Sequence, residues 1–288
     1  MSIFVTGTSG FLGRAVARHL TEHGRPIRAL GRSRNELPAS AAFSFLDLKT
    51  GEGAAEIPWA ECTGLIHLAA AGVKQANRNM ADAVAVNVVG TQRILDGLEM
   101  VEPSLPIIFA GTYYEDYLGR VPAFRENVYV VTKAAGRDLV RLWAARRPER
   151  RIGMATVFQV FGPGDDPRNV LPYVVQGLRT GQRIQLGSGR AEKDWIHVED
   201  AAAGICTLLT VLPQGASEWD IGMGSLYSVR AVVERLAHLA GAEELLEFDP
   251  SRDRPDNEIR ALATRLPSSW RPRFTLEEGL QRLWEDFR

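Results

Sequence analysis

A tyrosine and a lysine four residues apart form the most chemically specific pair in this sequence. The stretch NVYVVTK (127–133) opens a helical pattern, so Tyr129 and Lys133 lie on one helical face. With six tyrosines and four lysines in 288 residues, chance gives this spacing only about 0.08 times. A nearby ammonium favours a phenolate, so Lys133 is expected to bring the pKa of Tyr129 down from its ordinary value of about 10. Tyr129 is therefore predicted to exchange a proton with a carbonyl or alcohol oxygen.

A threonine at the end of an apolar run is a candidate partner for this pair. In FAGTYYEDYLG (109–119), Thr112 follows a predicted strand, and ligands bind at the carboxyl ends of strands in an open parallel sheet. Its hydroxyl is predicted to hydrogen-bond the same oxygen as Tyr129. Taken alone, the stretch also fits a strand that ends in an ordinary polar turn. Glu115, three residues later, is interpreted as a residue of the site wall or the surface.

A glycine-rich turn near the N-terminus predicts a phosphate site. VTGTSGFLG (5–13) spaces Gly7, Gly10 and Gly13 three apart between a predicted strand and a predicted helix. Residues without Cβ let the backbone approach a ligand, and the free N–H groups of a helix start suit a pyrophosphate. In this context the triplet indicates dinucleotide binding. The alternative is that the three glycines serve only a tight turn.

The residues after the second predicted strand bear on which nucleotide is bound. An acidic residue there binds the ribose of NAD, whereas arginine suits the 2′-phosphate of NADP. The sequence has Arg32, Ser33 and Arg34, with no acid before Glu36. We therefore predict that NADP(H) is favoured and that NAD(H) remains possible.

Apolar runs alternate with helical patterns through the first half of the chain, which predicts a doubly wound α/β parallel sheet, the Rossmann fold. The predicted strands are 2–7, 26–31, 43–47, 64–70, 106–111 and 152–158, and the predicted helices are 11–23, 77–100 and 128–147. Later, a helix is predicted at 198–212, a strand at 218–223, and a final helix after a capping box of Thr275 and Glu278. We predict a dinucleotide-binding domain over residues 1–160, to which 195–224 return. A smaller C-terminal α/β substrate domain is predicted over 161–194 and 225–288.

Composition sets limits on partners and compartment. The formal net charge is −1, and 45% of residues are hydrophobic, which favours neither nucleic acid nor an anionic membrane as a partner. Without an apolar run of about 20 residues or a secretory signal pattern, the protein is expected to be cytoplasmic. Cys62 and Cys206 have no metal-ligand spacing and are expected to be buried thiols, so no metal site is predicted.

Motifs along almost the whole chain resemble the extended short-chain dehydrogenase/reductases, specifically their nucleotide-sugar epimerase/dehydratase/reductase group. They are TGTSGFLG, FLDL, IHLAA, NVVGTQRIL, the Tyr129 and Lys133 pair, VFGPG, KDWIHVEDAA and RFTLEEGL. The resemblance implies catalysis by Thr112, Tyr129 and Lys133, and a homodimer formed through the helices near 77–100 and 128–147. With the arginine argument above, the predicted cofactor-binding residues are Gly7, Gly10, Phe11, Leu12, Gly13, Arg32, Ser33, Asp47, Leu48, Leu68, Ala69, Ala70, Asn87, Tyr129 and Lys133.

The resemblance also implies a nucleotide-sugar site, although the chain departs from the family there. Thr156 and Lys193 stand where the family often has arginine, and Gln159 stands where it often has asparagine. The predicted substrate-binding residues are Thr112, Tyr113, Gln159, Lys193 and Arg254.

The two residues after Thr112 narrow the reaction. Family members that eliminate water have Asp and Glu directly after the threonine, and members that combine epimerisation with reduction have a cysteine two residues after it. Here Tyr113 and Tyr114 fill these places, and a phenol cannot replace a carboxylic acid with a pKa near 4. The sequence therefore predicts an NADPH-dependent reductase of a nucleotide-linked 4-keto-6-deoxy sugar. A 4-epimerase that recycles NAD, a reductase of non-sugar carbonyls and a non-catalytic dinucleotide sensor are the alternatives.

Overall fold

The structure is a computed structural model and describes residues 1–34, 36–73, 79–253 and 259–287. The strands in these residues are β1 Ser2–Thr6, β2 Ile27–Gly31, β3 Ala42–Phe45, β4 Cys62–His67, β5 Pro106–Thr112, β6 Arg151–Val157, β7 Gln159–Phe161, β8 Ile184–Leu186, β9 Glu192–Lys193, β10 Trp195–His197, β11 Gly215–Ile221, β12 Tyr227–Ser228, β13 Leu246–Phe248 and β14 Arg260–Ala261. The α-helices are α1 Phe11–Glu22, α2 Met80–Val84, α3 Gly90–Leu98, α4 Val128–Ala145, α5 Val170–Thr180, α6 Val198–Val211, α7 Val229–Ala240 and α8 Leu276–Asp286.

Seven parallel strands form the main sheet, in the order β3-β2-β1-β4-β5-β6-β11. This order confirms the predicted doubly wound fold, because the chain runs outward from β1 in one direction and then crosses over to β4. Alternate strand residues face opposite sides. In β1, Ile3 and Val5 pack with α1 and α6, whereas Phe4 packs with α3 and α4. Both faces of the sheet are therefore covered by the apolar faces of helices.

The predicted elements of the first half agree with the structure to within a few residues, with one exception. The helix predicted at 77–100 is described from Met80, after the N-cap Asn79, and it contains a π-helical turn over Ala85–Val89 between α2 and α3. Residues 77 and 78 lie outside the described residues. A π-turn adds a residue to the helical repeat and is often found where a functional side chain is presented. Here it carries Asn87.

A second apolar core lies beyond the main sheet, where α5, α7 and α8 pack around Phe161 and Trp195. The predicted capping box of α8 is present, since Glu278 N–H donates to Thr275 Oγ1 at 3.2 Å and Glu278 Oε2 accepts from Thr275 N at 2.8 Å. Strand β11 pairs with β6 in the main sheet. The exact division into two domains stays a prediction.

The structure bears on two expectations from the sequence, the state of the cysteines and the absence of a membrane-spanning run. Cys62 and Cys206 are buried free thiols, as predicted, and burial raises their pKa to about 11 and about 12. Among the described residues, no helix has both the length and the apolar character needed to span a bilayer.

Candidate active site

The glycine turn after β1 has the close approaches that a dinucleotide site requires. Gly7 has φ +76°, and a Cβ there would lie 2.7 Å from the backbone nitrogen of Ala69. A Cβ on Gly13 would lie 2.0 Å from the carbonyl oxygen of Gly7. Gly10 is the N-cap of α1 and has no side chain to bond the first amide groups of the helix, at Phe11 and Leu12. This arrangement fits the pyrophosphate of NAD(P), which these N–H groups would bind.

The turn is joined to the segment after β4 by buried polar side chains. Thr6 Oγ1 accepts hydrogen bonds from the N–H groups of Leu68 and Ala69, both at 3.2 Å, and lies 2.8 Å from His67 Nδ1. Burial, with a smaller effect of Lys133, lowers the pKa of His67 to about 3. His67 is therefore neutral at physiological pH, and its role is to hold the ends of β1 and β4 together.

Asn87 fixes the next part of the same segment. Its Oδ1 accepts from Ala71 N at 2.7 Å, and its Nδ2 donates to Ala71 O at 3.0 Å and to Thr132 Oγ1 at 2.8 Å. The predicted residues 68–70 and Asn87 thus lie together beside the glycine turn. Because Thr132 belongs to α4, Asn87 also ties this segment to the helix that carries Tyr129 and Lys133.

The predicted nucleotide-selecting residues lie at the exposed end of β2. Arg32, Ser33 and Arg34 are exposed, and Arg34 donates to Ala41 O at 3.3 Å. Glu36 is paired with Arg14 at 3.2 Å. At the end of the neighbouring strand, Asp47 and Leu48 begin a turn in which Asp47 Oδ1 accepts from Lys49 N at 2.8 Å, and the Leu48 carbonyl accepts from Arg93 at 2.5 Å.

The start of α4 sets the position of the tyrosine and lysine pair. Asn127 Oδ1 caps the helix by accepting from Tyr129 N at 3.1 Å, and Lys133 follows one turn later. Lys133 Nζ donates to Ala110 O at 2.6 Å, two residues before Thr112 on β5. The helix therefore presents both side chains at the carboxyl end of β5.

One electrostatic expectation is not met in this arrangement. Burial raises the pKa of Tyr129 above its ordinary value, and the nearby Glu115 and Tyr114 raise it further. The lysine does not reverse this shift, and the pKa of Lys133 is itself lowered, mainly by burial. Tyr129 is thus held in its protonated form.

Glu115 lies in the wall of this site, which is one of the two places predicted for it. It is buried, with only 2% of its side chain exposed, and is not a surface residue. Its Oε1 accepts from Thr112 N at 2.8 Å, while Thr112 Oγ1 accepts from Tyr114 N at 3.5 Å. Thr112 and Glu115 thus form a capping box, and the spacing T-x-x-E was the available signal. Arg137 also borders the site and had no recognised motif, whereas His67 belongs to the IHLAA motif but was not singled out.

The predicted substrate side of the site is walled by aromatic rings. Tyr113 is buried, stacks on Phe158 with centroids 5.5 Å apart, and donates its hydroxyl to Gln159 Oε1 at 3.0 Å. Lys193 Nζ donates to Tyr114 Oη at 3.4 Å. The structure thus brings four of the predicted substrate residues to one wall. Tyr113 contacts Gln159, Lys193 contacts Tyr114, and these two tyrosines directly follow Thr112 in the chain. Arg254, the fifth, lies outside the described residues.

A small polar cavity lies behind Lys133, between β5, β6 and α4. Its volume is about 20 Å³, enough for one water molecule, and its polar lining comprises His67, Asn87, Thr91, Glu115, Lys133, Arg137 and Thr156. Among the described residues, no cluster of His, Cys, Asp and Glu has the arrangement of a metal site.

Known proteins resemble this chain over nearly its full length. A GDP-6-deoxy-D-mannose reductase from Pseudomonas aeruginosa is 26% identical over 99% of this chain and 96% of that protein. A UDP-glucuronate 4-epimerase from Thermodesulfobacterium geofontis is 25% identical over 96% of this chain and 93% of that protein. In fold, the chain matches a UDP-glucose 4-epimerase from Thermus thermophilus, solved in complex with NAD, with a TM-score of 0.81 and 22% identity over 100% of this chain and 99% of that one.

A family model covers the Rossmann sheet together with the candidate site. The model of the NAD dependent epimerase/dehydratase family matches residues 3–222, which include the glycine turn, Thr112, Tyr129, Lys133 and the seven strands of the main sheet except Ser2 of β1. The protein therefore belongs to the NAD dependent epimerase/dehydratase family, and it is an NAD(P)-dependent enzyme with an extended short-chain dehydrogenase/reductase fold.

Proposed function

We propose that this protein reduces a nucleotide-linked 4-keto-6-deoxy sugar with NADPH. The observation that carries the proposal is the set of three residues directly after Thr112, none of which offers an available carboxylate. Tyr113 is engaged with Gln159, Tyr114 contacts Lys193, and the Glu115 carboxylate is bonded to Thr112 N and paired with Arg137. Elimination of water needs an acid and a base on the sugar, and these three side chains do not supply them. The resemblance to the reductase of Pseudomonas aeruginosa supports the same reaction class.

Proton transfer is assigned to Tyr129. The reduced cofactor, when bound, supplies the hydride to the carbonyl carbon of the sugar. Tyr129 donates its phenolic proton to the carbonyl oxygen, which becomes the new hydroxyl, and Thr112 Oγ1 hydrogen-bonds that oxygen. The protonated state of Tyr129 in this structure suits a residue that begins the reaction as a proton donor. Lys133, fixed on Ala110 O, orients its ammonium toward this end of β5.

NADPH is favoured over NADH because cations follow β2. Arg32 and Arg34 are exposed beyond the strand end, where a 2′-phosphate is bound in this fold. The nearest acid in the chain, Glu36, is already paired with Arg14. A cofactor with a 2′-phosphate is therefore expected to bind more tightly at this position than one with a 2′-hydroxyl.

A 4-epimerase that recycles NAD is the second candidate. The observations in its favour are the similarity to the UDP-glucuronate 4-epimerase and the fold of the NAD-bound UDP-glucose 4-epimerase. An epimerase would form product without net use of cofactor and would purify with NAD bound.

The deciding experiment measures NADPH and NADH oxidation by the purified protein with GDP-, CDP-, dTDP- and UDP-linked 4-keto-6-deoxyhexoses. We expect rapid NADPH oxidation with one nucleotide class. Tyr129→Phe should lower kcat at least about 100-fold while the Kd for NADPH stays within about twofold. Tyr173→Phe, which changes an exposed tyrosine on α5, is the matched control. Near-normal turnover in Tyr129→Phe would refute the mechanism, and NAD in the purified protein without oxidation of either cofactor would favour the epimerase.

We also propose that two copies associate through α4 and the helical segment 80–98. Val131 and Leu142 are exposed on α4 and lie 11 residues apart, which is three turns on one face. Val84 and Val89 are exposed on the neighbouring segment. Val131→Asp and Leu142→Asp are expected to convert a dimer to a monomer in light scattering, and an unchanged mass in both variants would refute this surface as the interface.

A further inference from the structure

A buried ion pair joins the strand that carries Thr112 to the helix that carries Tyr129 and Lys133. Glu115 Oε2 lies 3.4 Å from Arg137 Nη1, and the two side chains are 2% and 8% exposed. The other oxygen of the same carboxylate accepts from Thr112 N at 2.8 Å. One carboxylate thus bridges the end of β5 and the middle of α4.

The helical end of this bridge is itself anchored. Arg137 Nη1 also pairs with Asp116 at 3.1 Å, and Arg137 Nη2 pairs with Glu218 on β11 at 3.1 Å. Glu218 Oε2 also pairs with Arg265 Nη1 at 2.6 Å. Buried charges are costly unless their hydrogen-bonding groups are satisfied, and removing one partner leaves an uncompensated charge. The geometry of Arg137 is therefore set by three acids from two segments of the chain.

We propose that Glu115 and Arg137 are positioning residues that fix the backbone of Thr112 relative to Tyr129 and Lys133. The inference rests on the proposed function, which assigns the reacting oxygen to Thr112 and Tyr129. Their hydroxyl groups must keep a fixed spacing, because small displacements of reacting groups strongly reduce rates. Glu115 holds the backbone of Thr112 at the end of β5, and Arg137 connects Glu115 to the helix that carries Tyr129.

The charge of Glu115 also faces the reacting groups. Charged and titratable groups around it are Tyr114 in the same turn, Tyr129, Lys133 and Arg137 on α4, and His67 on β4 across the small cavity. The pKa of Tyr129 is raised first by burial and then by Glu115, and Glu115 also opposes the burial that lowers the pKa of Lys133. Neutralising Glu115 therefore lowers the pKa of both groups.

The test compares Glu115→Ala, Glu115→Gln and Arg137→Met with the control Arg141→Met. Arg141 lies one turn after Arg137 and pairs with Asp138 and Glu218, away from Glu115. We expect Glu115→Ala and Arg137→Met to lower kcat at least about tenfold, with the substrate KM and the NADPH Kd within about threefold. Arg141→Met should keep kcat within about twofold. Glu115→Gln keeps an oxygen for Thr112 N, so it should fold and lose less kcat than Glu115→Ala.

Amide hydrogen exchange of the peptide over 109–117 provides a readout that needs no substrate. Faster exchange in Glu115→Ala and Arg137→Met, but not in Arg141→Met, is expected because the Thr112 N–H loses its acceptor or that acceptor loses its anchor. If wild-type protein reduces no nucleotide sugar, the proposed function fails, and the exchange result still decides the positioning role. Unchanged exchange, or parallel loss of kcat, KM and NADPH binding, would overturn the inference.

Discussion

Replacing Asn87 with alanine should weaken both the fold and cofactor binding, because this side chain joins three segments. It makes three hydrogen bonds, two to the backbone of Ala71 and one to Thr132, at 2.7, 3.0 and 2.8 Å. Asn87 is only 3% exposed, so water does not easily replace these bonds. Ala71 continues the segment beside the glycine turn, and Thr132 lies next to Lys133.

The expected loss of stability follows from these contacts. A hydrogen bond contributes about 1 kcal/mol net, so losing three costs about 3 kcal/mol in the free energy of unfolding. The entropy of unfolding is about 2.1 cal/mol/K per residue, or about 0.6 kcal/mol/K for a chain of this length. The midpoint of thermal unfolding should therefore fall by about 5 °C. The Kd for NADPH should rise at least about fivefold, because the segment after β4 loses its attachment to α4.

Thermal unfolding followed by circular dichroism and NADPH titration by fluorescence measure the two effects. Gln92→Ala is the control, since Gln92 lies on α3 and bonds Asp96 at the exposed surface. Its midpoint should stay within about 1 °C of wild type. If Asn87→Ala also melts within about 1 °C of wild type, the hydrogen bonds do not stabilise the protein as argued.

Three further predictions test the cofactor turn, the buried histidine and the nucleotide preference. Gly13→Ala should abolish NADPH binding in titration because its Cβ would lie 2.0 Å from the Gly7 carbonyl oxygen, whereas Gly119→Ala meets no atom within 4 Å and should bind normally; equal binding would contradict the close-approach argument. The pKa of His67 is about 3 in the folded protein against 6.5 in an unfolded chain, so the stability it contributes is present above pH 6.5 and is lost as pH falls toward 3. The free energy of unfolding, measured with urea between pH 6 and 4, should change with pH less steeply in His67→Gln than in wild type, by about 1.4 kcal/mol per pH unit. Equal pH dependence in the two proteins would refute the assignment. Arg32→Ala should raise the Kd for NADPH about tenfold and leave that for NADH within about twofold, while an equal loss for both would remove the argument for NADP.

The first half of the fold could be predicted because each element there has a clear period and clear ends. Strands such as β1 are apolar runs buried on both faces, and α4 follows the N-cap Asn127. The sequence did not reveal the π-turn around Asn87, because one extra residue leaves the helical pattern nearly unchanged. In the second half, β9 and β12 contain only two residues each, too few to show any period. Their positions depend on tertiary pairing with each other.

The residues of the candidate site that belong to sequence motifs could be predicted, whereas the pairing that depends on tertiary contacts could not. Thr112, Tyr129 and Lys133 were recognisable from type and spacing, and the structure brings them to the end of β5. The sequence left Glu115 between the site wall and the surface, because its partner Arg137 comes from another segment, 22 residues later. A buried pair of this kind is visible only once the helix is packed on the sheet.

The protonation state of Tyr129 bears on the direction of the reaction. Its pKa is raised by burial and by Glu115, and each unit of such a shift adds about 1.4 kcal/mol to the free energy needed to form the phenolate. A reductase begins with the phenol as an acid, so this environment leaves the starting state undisturbed. An epimerase begins by removing a proton from a sugar hydroxyl, and the same environment opposes the phenolate it requires. A raised pKa also makes the phenol a weaker acid, so part of the same free energy opposes proton donation by a reductase, and NADPH oxidation is the measurement that decides between the two reactions.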